Sequence, residues 1–389
     1  MENDEAEPVV IGGMVLDINA TPSILAKPGT TTPGKIFYAS GGVGRNVAEC
    51  MSKLGAKPYL ISAIGVDMAG NLLLEHWKSA DLSTEGIRMH KDIETAVVCN
   101  IFDGKGEVAA GVASVEAIEK FLTPGWIERF KCKIHAAPLL MIDANLSLPS
   151  LETACKLAAE CNTPVWFEPV SVVKSRRVAS VAKYVTFASP NENELIAMAN
   201  SLSSGDIFSP IKREDASIKL AVESLFYLLR PAISVLLNGG IKFVVLTLGS
   251  DGVFLCSKQE PGFSKLKSGR NRLHSFSRQL YETINSSCPT NSLTRGPKFK
   301  EDFSAVHFPA AAASVVRLTG AGDCLVGGMV ASLCAGLDIL QSVAVGIAAA
   351  KASIESDSNV PAEYSLSKIA HDARVVYSGA RLILHPSKL

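Results

Sequence analysis

Thr319-Gly320-Ala321-Gly322-Asp323 follows an apolar pair, Val315-Val316, and opens a helix-period segment that runs from Cys324 to Cys334. The first N–H groups of a helix have no partner inside it, and small residues let the oxygens of another molecule approach them. The helix dipole adds partial positive charge at the same end. An acid in the first turn can take the proton of an attacking hydroxyl. Standing alone, the same residues would also make an ordinary glycine turn with Asp323 as a capping-type acid.

Working outward, short β-branched runs alternate with segments of helical period. The runs are Val9 to Leu16, Tyr59 to Ile64, Leu139 to Ile142, Val165 to Phe167, Val185 to Phe187 and Phe243 to Leu248. Between them Asn46 to Leu54, Leu151 to Ala159, Glu192 to Met198, Ser217 to Leu237 and Asp323 to Cys334 space their apolar residues three and four apart. This alternation predicts an α/β fold: a doubly wound, mostly parallel sheet with helices on both faces. Two stretches depart from it. Ala20 to Ser40 is rich in Thr, Pro and Gly, and Thr95 to Val112 reads as two short strands around Asp103-Gly104-Lys105-Gly106, a hairpin signal. Together, at about 18–40 and 95–113, they are expected to form a small β lid, which suits a reaction that must exclude water.

Composition removes several function classes. The 389 residues carry 38 Lys plus Arg against 38 Asp plus Glu, so no overall charge bias favours nucleic acid or an anionic membrane. The nine cysteines include no CxxC pair, and a chain of this size needs no disulfide staples. Cys324, beside the candidate base, reads as a small buried apolar side chain. Met1 to Pro8 is acidic where a secretory signal would be basic and then apolar. Ala331 to Ala352 is interrupted by Ser332, Gly336, Asp338, Gln341, Ser342 and Lys351, as in buried helices rather than a membrane span. Residues 261–300 hold eight Lys or Arg against the single acid Glu282. With their Ser, Asn and Gly they predict a flexible surface insertion over about 258–304, and no nucleic-acid module is present. Ser387-Lys388-Leu389 matches the tripeptide read by the peroxisomal import receptor, so a peroxisomal location is expected. Gly29 to Lys35 has Walker A spacing, but Ile36 cannot supply the metal-binding hydroxyl, and Pro28 and Pro33 oppose a strand-loop-helix unit.

Near the other end of the chain, Gly41-Gly42-Val43-Gly44-Arg45-Asn46-Val47-Ala48 is a second glycine-rich start to a helix. The ordered pair of glycine motifs resembles the two signature regions of the ribokinase (PfkB) family of carbohydrate and nucleoside kinases. In that family the first motif holds the sugar, and the second supplies an anion hole and a base. Three further matches extend the resemblance along the chain: Asp17, read as ending the first strand after Gly12-Gly13; Asn191-Glu192-Asn193-Glu194, like the family's Asn-x-x-Glu; and Thr247-Leu248-Gly249-Ser250-Asp251-Gly252, like its nucleotide loop. Each could be a cap or a turn by itself.

The resemblance implies a single ribokinase-like domain over 1–389 that transfers phosphoryl from MgATP. Asp323 would be the catalytic base, with an anion hole at Gly320, Ala321 and Gly322. Substrate would be held by Asp17, Asn19, Gly41, Gly42, Asn46, Thr95 and Asn145. ATP would lie along Asn191, Thr247, Gly249, Gly252 and Thr319, with Glu194 reaching Mg2+ through water. Arg45 with Val47-Ala48-Glu49, Asp143-Ala144-Asn145-Leu146-Ser147, and Phe167-Glu168-Pro169-Val170-Ser171 with Lys174 are similar to the family's pseudouridine kinase branch, which implies the 5′-hydroxyl of that nucleoside as acceptor. Ribose or a conventional nucleoside is the alternative acceptor, and a non-catalytic ligand-binding protein the alternative class. Lids of this type imply a homodimer. Two positions depart from the family pattern: Arg317 stands where an Asp often helps to bind potassium, which puts dependence on that ion in doubt, and Ala113-Ser114-Val115 stands where the bacterial pseudouridine kinases have an Asp.

Overall fold

The computed structural model describes residues 7–25, 29–103, 108–203, 205–210, 221–258, 275–289 and 303–383. The strands in chain order are β1 (Val9–Ile11), β2 (Val15–Pro22), β3 (Gly34–Gly41), β4 (Tyr59–Gly65), β5 (Ile87–His90), β6 (Ala96–Phe102), β7 (Val108–Ser114), β8 (Leu140–Asp143), β9 (Val165–Glu168), β10 (Val185–Ala188), β11 (Phe243–Thr247), β12 (Val253–Ser257), β13 (Ser304–Phe308) and β14 (Arg381–Leu382). Ten of them form one sheet in the order β14-β13-β12-β11-β10-β9-β8-β1-β4-β5. From β5 to β11 neighbours run parallel, and β12, β13 and β14 finish the sheet antiparallel.

Alternation along the strands feeds a core on each face, as expected for a sheet buried on both sides. Val10, Leu60, Met141, Trp166 and Phe187 enter one core, whereas Val9, Ile11, Ile61, Ile142 and Phe167 enter the other. Trp166, Phe187 and Phe243, on three adjacent strands, stack with ring centroids 5.1 Å apart at each step. Winding reverses beside β1, because the chain leaves it towards β4 and β5 and later returns to its other side at β8. In open α/β sheets ligands bind at such a switch point, outside the carboxyl ends of the strands.

The expected first strand, Val9 to Leu16, is two strands. β1 stops at Ile11, Gly12 to Met14 cross over, and β2 belongs to a separate four-stranded sheet in the order β3-β2-β6-β7. Asp17 therefore lies within a lid strand and does not end the first strand. Register divides the lid's faces: Asp17, Asn19, Phe37 and Asn100 share one, and Ile36, Tyr38, Ile101 and Val112 share the other. The second set is exposed.

Helix Ala321–Cys334 is packed between helices Val43–Lys53 and Ile339–Ile354. A Cβ on Gly327 would come 2.7 Å from the Cβ of Cys50, so this crossing requires glycine. The close approach carries the start of one glycine-led helix towards the other.

The expected flexible insertion holds a folded element. Ser275–Ser287 is a helix that buries Leu280 and Ile284, with Cys288 just beyond its end. Ser277 Oγ donates to Gly55 O at 2.6 Å, and Gln341 Nε2 donates to Cys288 O at 2.7 Å. Its basic composition hid an apolar stripe at four-residue spacing. Among the described residues no helix is long and apolar enough to cross a membrane. Residues 384–389, including Ser387 to Leu389, lie outside the described part.

Candidate active site

The first glycine motif turns β3 into helix Val43–Lys53. Gly42 has φ +95°, and a Cβ there would sit 2.3 Å from Gly13 O, so both its conformation and its surroundings demand glycine. Asp143, fully buried at the end of β8, ties this turn to β1: its Oδ2 accepts from Gly13 N at 2.8 Å and Gly44 N at 3.3 Å, and its Oδ1 from Asn145 N at 3.0 Å. Burial raises the Asp143 carboxyl above its ordinary range, against the pull of those amides.

The second motif starts helix Ala321–Cys334 on Gly320, whose φ is +88°. Among the described residues the N–H groups of Gly322 and Asp323 have no protein acceptor, and a Cβ on Gly322 would meet nothing within 4 Å. Free amides beside open space are what an incoming anionic group needs. Asn46 Nδ2 donates to Asp323 Oδ2 at 2.6 Å, joining the motifs across 277 positions of sequence. Burial pushes the Asp323 carboxyl up to about 7. The Asn46 donor and the Arg45 charge oppose that rise, while Asp143 and Asp17 add to it. Cys324, fully buried, spends its thiol on Asn359 O at 3.5 Å.

The lid presents its polar face here. Asn359 Nδ2 donates to Asp17 Oδ2 and to Ser40 O, each at 3.0 Å, and Asn359 Oδ1 accepts from Arg317 Nη1 at 3.3 Å. Arg317 also lies over the Phe37 ring, 5.1 Å from its centroid, so it points at the lid. Asn19 is buried, and its Oδ1 accepts from Asn100 Nδ2 at 3.4 Å. Gly41 pairs β3 with β2 so closely that a Cβ would be 2.3 Å from Asp17 Oδ2. Ala113 shares the face of Asp17 through Val98. Lys174 Nζ donates to Asn145 Oδ1.

Thr95 is buried just ahead of β6. Its hydroxyl donates to Asp67 Oδ1 at 2.7 Å and accepts from Gly65 N at 2.8 Å, so it secures the junction between β4 and helix Met68–Ser79.

Among the residues expected to meet nucleotide, Asn191 and Glu194 form a reciprocal helix cap, each side chain accepting from the other's backbone N–H at 2.9 Å. Thr247, at the end of β11, bridges to Asn191. Gly249 and Gly252 have φ +59° and +93°, and Leu248 N donates to Gly252 O at 2.9 Å, closing a tight loop that exposes Gly249 and Ser250. Thr319 is also exposed.

Three residues of the site were not assigned from sequence: Asp143, Asn359 and Glu168. Glu168 ends β9, and its carboxyl is raised well above the usual range by burial. The Ser189 hydroxyl that donates to it opposes the shift, and the charges of Glu194 and Asp323 add to it. Their shared signal is position: Asp143 and Glu168 are acids closing apolar strands at the carboxyl edge. Asn359 had no signal of its own.

An acid and free amides at one helix start, under a polar lid at the carboxyl edge of a doubly wound sheet, make an arrangement suited to a small-molecule kinase of the lidded α/β class. The chain belongs to the pfkB family of carbohydrate kinases, whose match covers residues 6–267 and 296–362, and is thus a phosphotransferase acting on an alcohol. Helix Ser275–Ser287 falls in the unmatched interval. The pseudouridine kinase of Arabidopsis thaliana is 51% identical over 385 residues, 98% of this chain and 100% of that protein. The pseudouridine kinase of Escherichia coli is 26% identical over 246 residues, 63% of this chain and 71% of its own. Arabidopsis ribokinase complexed with ribose and ATP superposes with a TM-score of 0.69 at 17% identity, over 95% of this chain and 99% of that one, a likeness of fold.

Proposed function

We propose that the chain transfers the γ-phosphoryl group of ATP to the 5′-hydroxyl of pseudouridine. The observation that carries the mechanism is the contact between Asn46 and Asp323, which sets the sugar-side motif against the phosphoryl-side motif. The substrate is proposed from the 51% identity to a pseudouridine kinase over nearly all of both chains. Asp323 takes the hydroxyl proton as the oxygen attacks. The Gly322 and Asp323 amides receive the charge of the transferring group, and Asp17 with Asn46 orients the ribose.

Among the described residues no three His, Cys, Asp or Glu converge into a metal cage. A magnesium ion bound with the nucleotide's phosphates would supply further charge neutralisation, and Glu194 is the residue that would help to hold it, through water. Arg317, directed at Asn359 and Phe37, offers a fixed cation where a potassium site would stand. The exposed apolar face of the lid, Ile36, Tyr38, Ile101 and Val112, supports pairing of two lids in a homodimer. Ser387 to Leu389 supports import into peroxisomes, which loss of import on their deletion would test.

Turnover of ATP with pseudouridine, uridine and ribose, with the product located by phosphorus NMR, tests the substrate. Pseudouridine is expected to exceed the other two in kcat/KM by about tenfold or more. Preference for ribose or uridine overturns the assignment and leaves the family intact.

A further inference from the structure

Arg45 is 1% exposed, an unusual place for a guanidinium. Its Nε donates to Gly41 O at 3.0 Å and its Nη2 to Ser40 O at 2.7 Å, which pins the end of lid strand β3. Nη2 also donates to Asn46 Oδ1, and Nη1 pairs with Glu49 Oε2. Glu49 in turn accepts from Lys53 Nζ at 2.6 Å and meets His76 Nε2 at 2.9 Å. Burial would raise its carboxyl, but His76, Arg45 and Lys53 outweigh burial and hold it at about 2, so the counter-ion stays charged.

The consequence lies in the Asn46 amide. An asparagine side chain keeps its shape when flipped but exchanges a donor for an acceptor. A guanidinium has donors only, so it engages Oδ1 and leaves Nδ2 to face Asp323. The opposite flip would set the amide oxygen against the Asp323 carboxylate and the amide NH2 against Arg45, with repulsion at both ends.

We propose that Arg45 is a positioning residue for catalysis: by holding Asn46 Oδ1 it forces the amide N–H onto Asp323 and fixes the orientation of the base. The inference rests on the reading of Asp323 as base. The charged and titratable groups around that carboxyl are Arg45 from helix Val43–Lys53, Asp17 from the lid, Asp143 from β8, Glu168 from β9 and Cys324 from its own helix. Arg45 is the cation among them, and Asn46 transmits its effect as a directed hydrogen bond.

The test uses Arg45→Met and, because Met alone removes one partner of a buried carboxylate, also Arg45→Met/Glu49→Gln, with thermal unfolding to establish that each is folded. Turnover is expected to fall about ten- to hundredfold with the KM for ATP nearly unchanged, the pattern of a lost transition-state contribution. The acid limb of the kcat profile should move to higher pH. In an Asn46→Ala background the same Arg45 change should cost little more, since the amide it orients is gone. A folded double variant with unshifted acid limb and wild-type kcat, or losses that add fully to those of Asn46→Ala, would overturn the proposal. If Asp323→Asn itself keeps turnover, the assignment of the base has failed instead.

Discussion

Among the described residues two helices begin on a positive-φ glycine held tightly against backbone, Gly42 beside Gly13 and Gly320 beside Asn359, and they use the glycine two positions further on for opposite purposes. At the start of Val43–Lys53 the glycines are a joint. Gly42 abuts Gly13, Arg45 N donates to Gly13 O at 3.0 Å, and Gly44 N is taken by Asp143. At the start of Ala321–Cys334 Gly320 is packed as closely, with its Cβ position 2.2 Å from Asn359 O, but Gly322 leaves a mouth, exposed and with its N–H free. The same local signal therefore closes one amide set inside the protein and keeps the other for a ligand. What separates them is the neighbour that the sheet order brings alongside, not the motif.

The largest expected effect is at the open end. Asp323→Asn should lower turnover by more than about 10²-fold while ATP binding, followed by calorimetry, persists. Near-wild-type turnover would remove Asp323 from the base role. The same variant sharpens the electrostatic reading. A carboxyl whose pKa rises from 3.8 to about 7 on folding costs stability as pH climbs through that window, and the full penalty is present above it. Asp323→Asn should thus raise Tm at pH 8, by the equivalent of up to roughly 4 kcal/mol, and leave it nearly unchanged at pH 4. An equal shift at both pH values would refute the perturbed carboxyl.

Turnover of the unmodified enzyme should fall by about tenfold per unit as pH drops below about 7, where the base becomes protonated. A profile flat from pH 5 to 8 would contradict this.

The glycine comparison can be broken directly. A Cβ on Gly44 would lie 2.7 Å from the backbone of Gly12, so Gly44→Ala should destabilise the fold by about 1–3 kcal/mol in denaturant titration. Gly322→Ala should leave the unfolding midpoint almost unchanged yet slow turnover, because its methyl occupies the space meant for phosphate. If the two variants exchange phenotypes, joint and mouth have been misassigned.

The smallest expected effect concerns Arg317. Replacing potassium by sodium at constant ionic strength should change turnover by less than about twofold, since the guanidinium held by Asn359 and Phe37 does not exchange with solvent ions. A several-fold rise specific to potassium would sink the idea.

The alternation of apolar runs and helical periods determined the doubly wound architecture, because periodicity records how each segment is buried. The two glycine motifs determined which helix starts deserved chemistry, because few residues other than glycine tolerate those backbone angles and approaches. Neither could say that β1 stops at Ile11 to send Asp17 into the lid, since the Gly12-Gly13 pair that interrupts the apolar run there reads the same as a bulge in one strand or as a crossing to a second sheet. Sequence likewise gave no sign that the Thr95 hydroxyl bonds to Asp67 and Gly65. The basic surroundings of Ser275–Ser287 masked a docked helix. Only the tertiary structure set Asn46 on Asp323, Asn359 between Arg317 and Asp17, and Arg45 inside a charged cluster. Except for the pairing of Arg45 with Glu49, four residues apart on one helix, those contacts join residues far apart in the chain, and their existence depends on strand order and helix crossing, which local pattern does not encode.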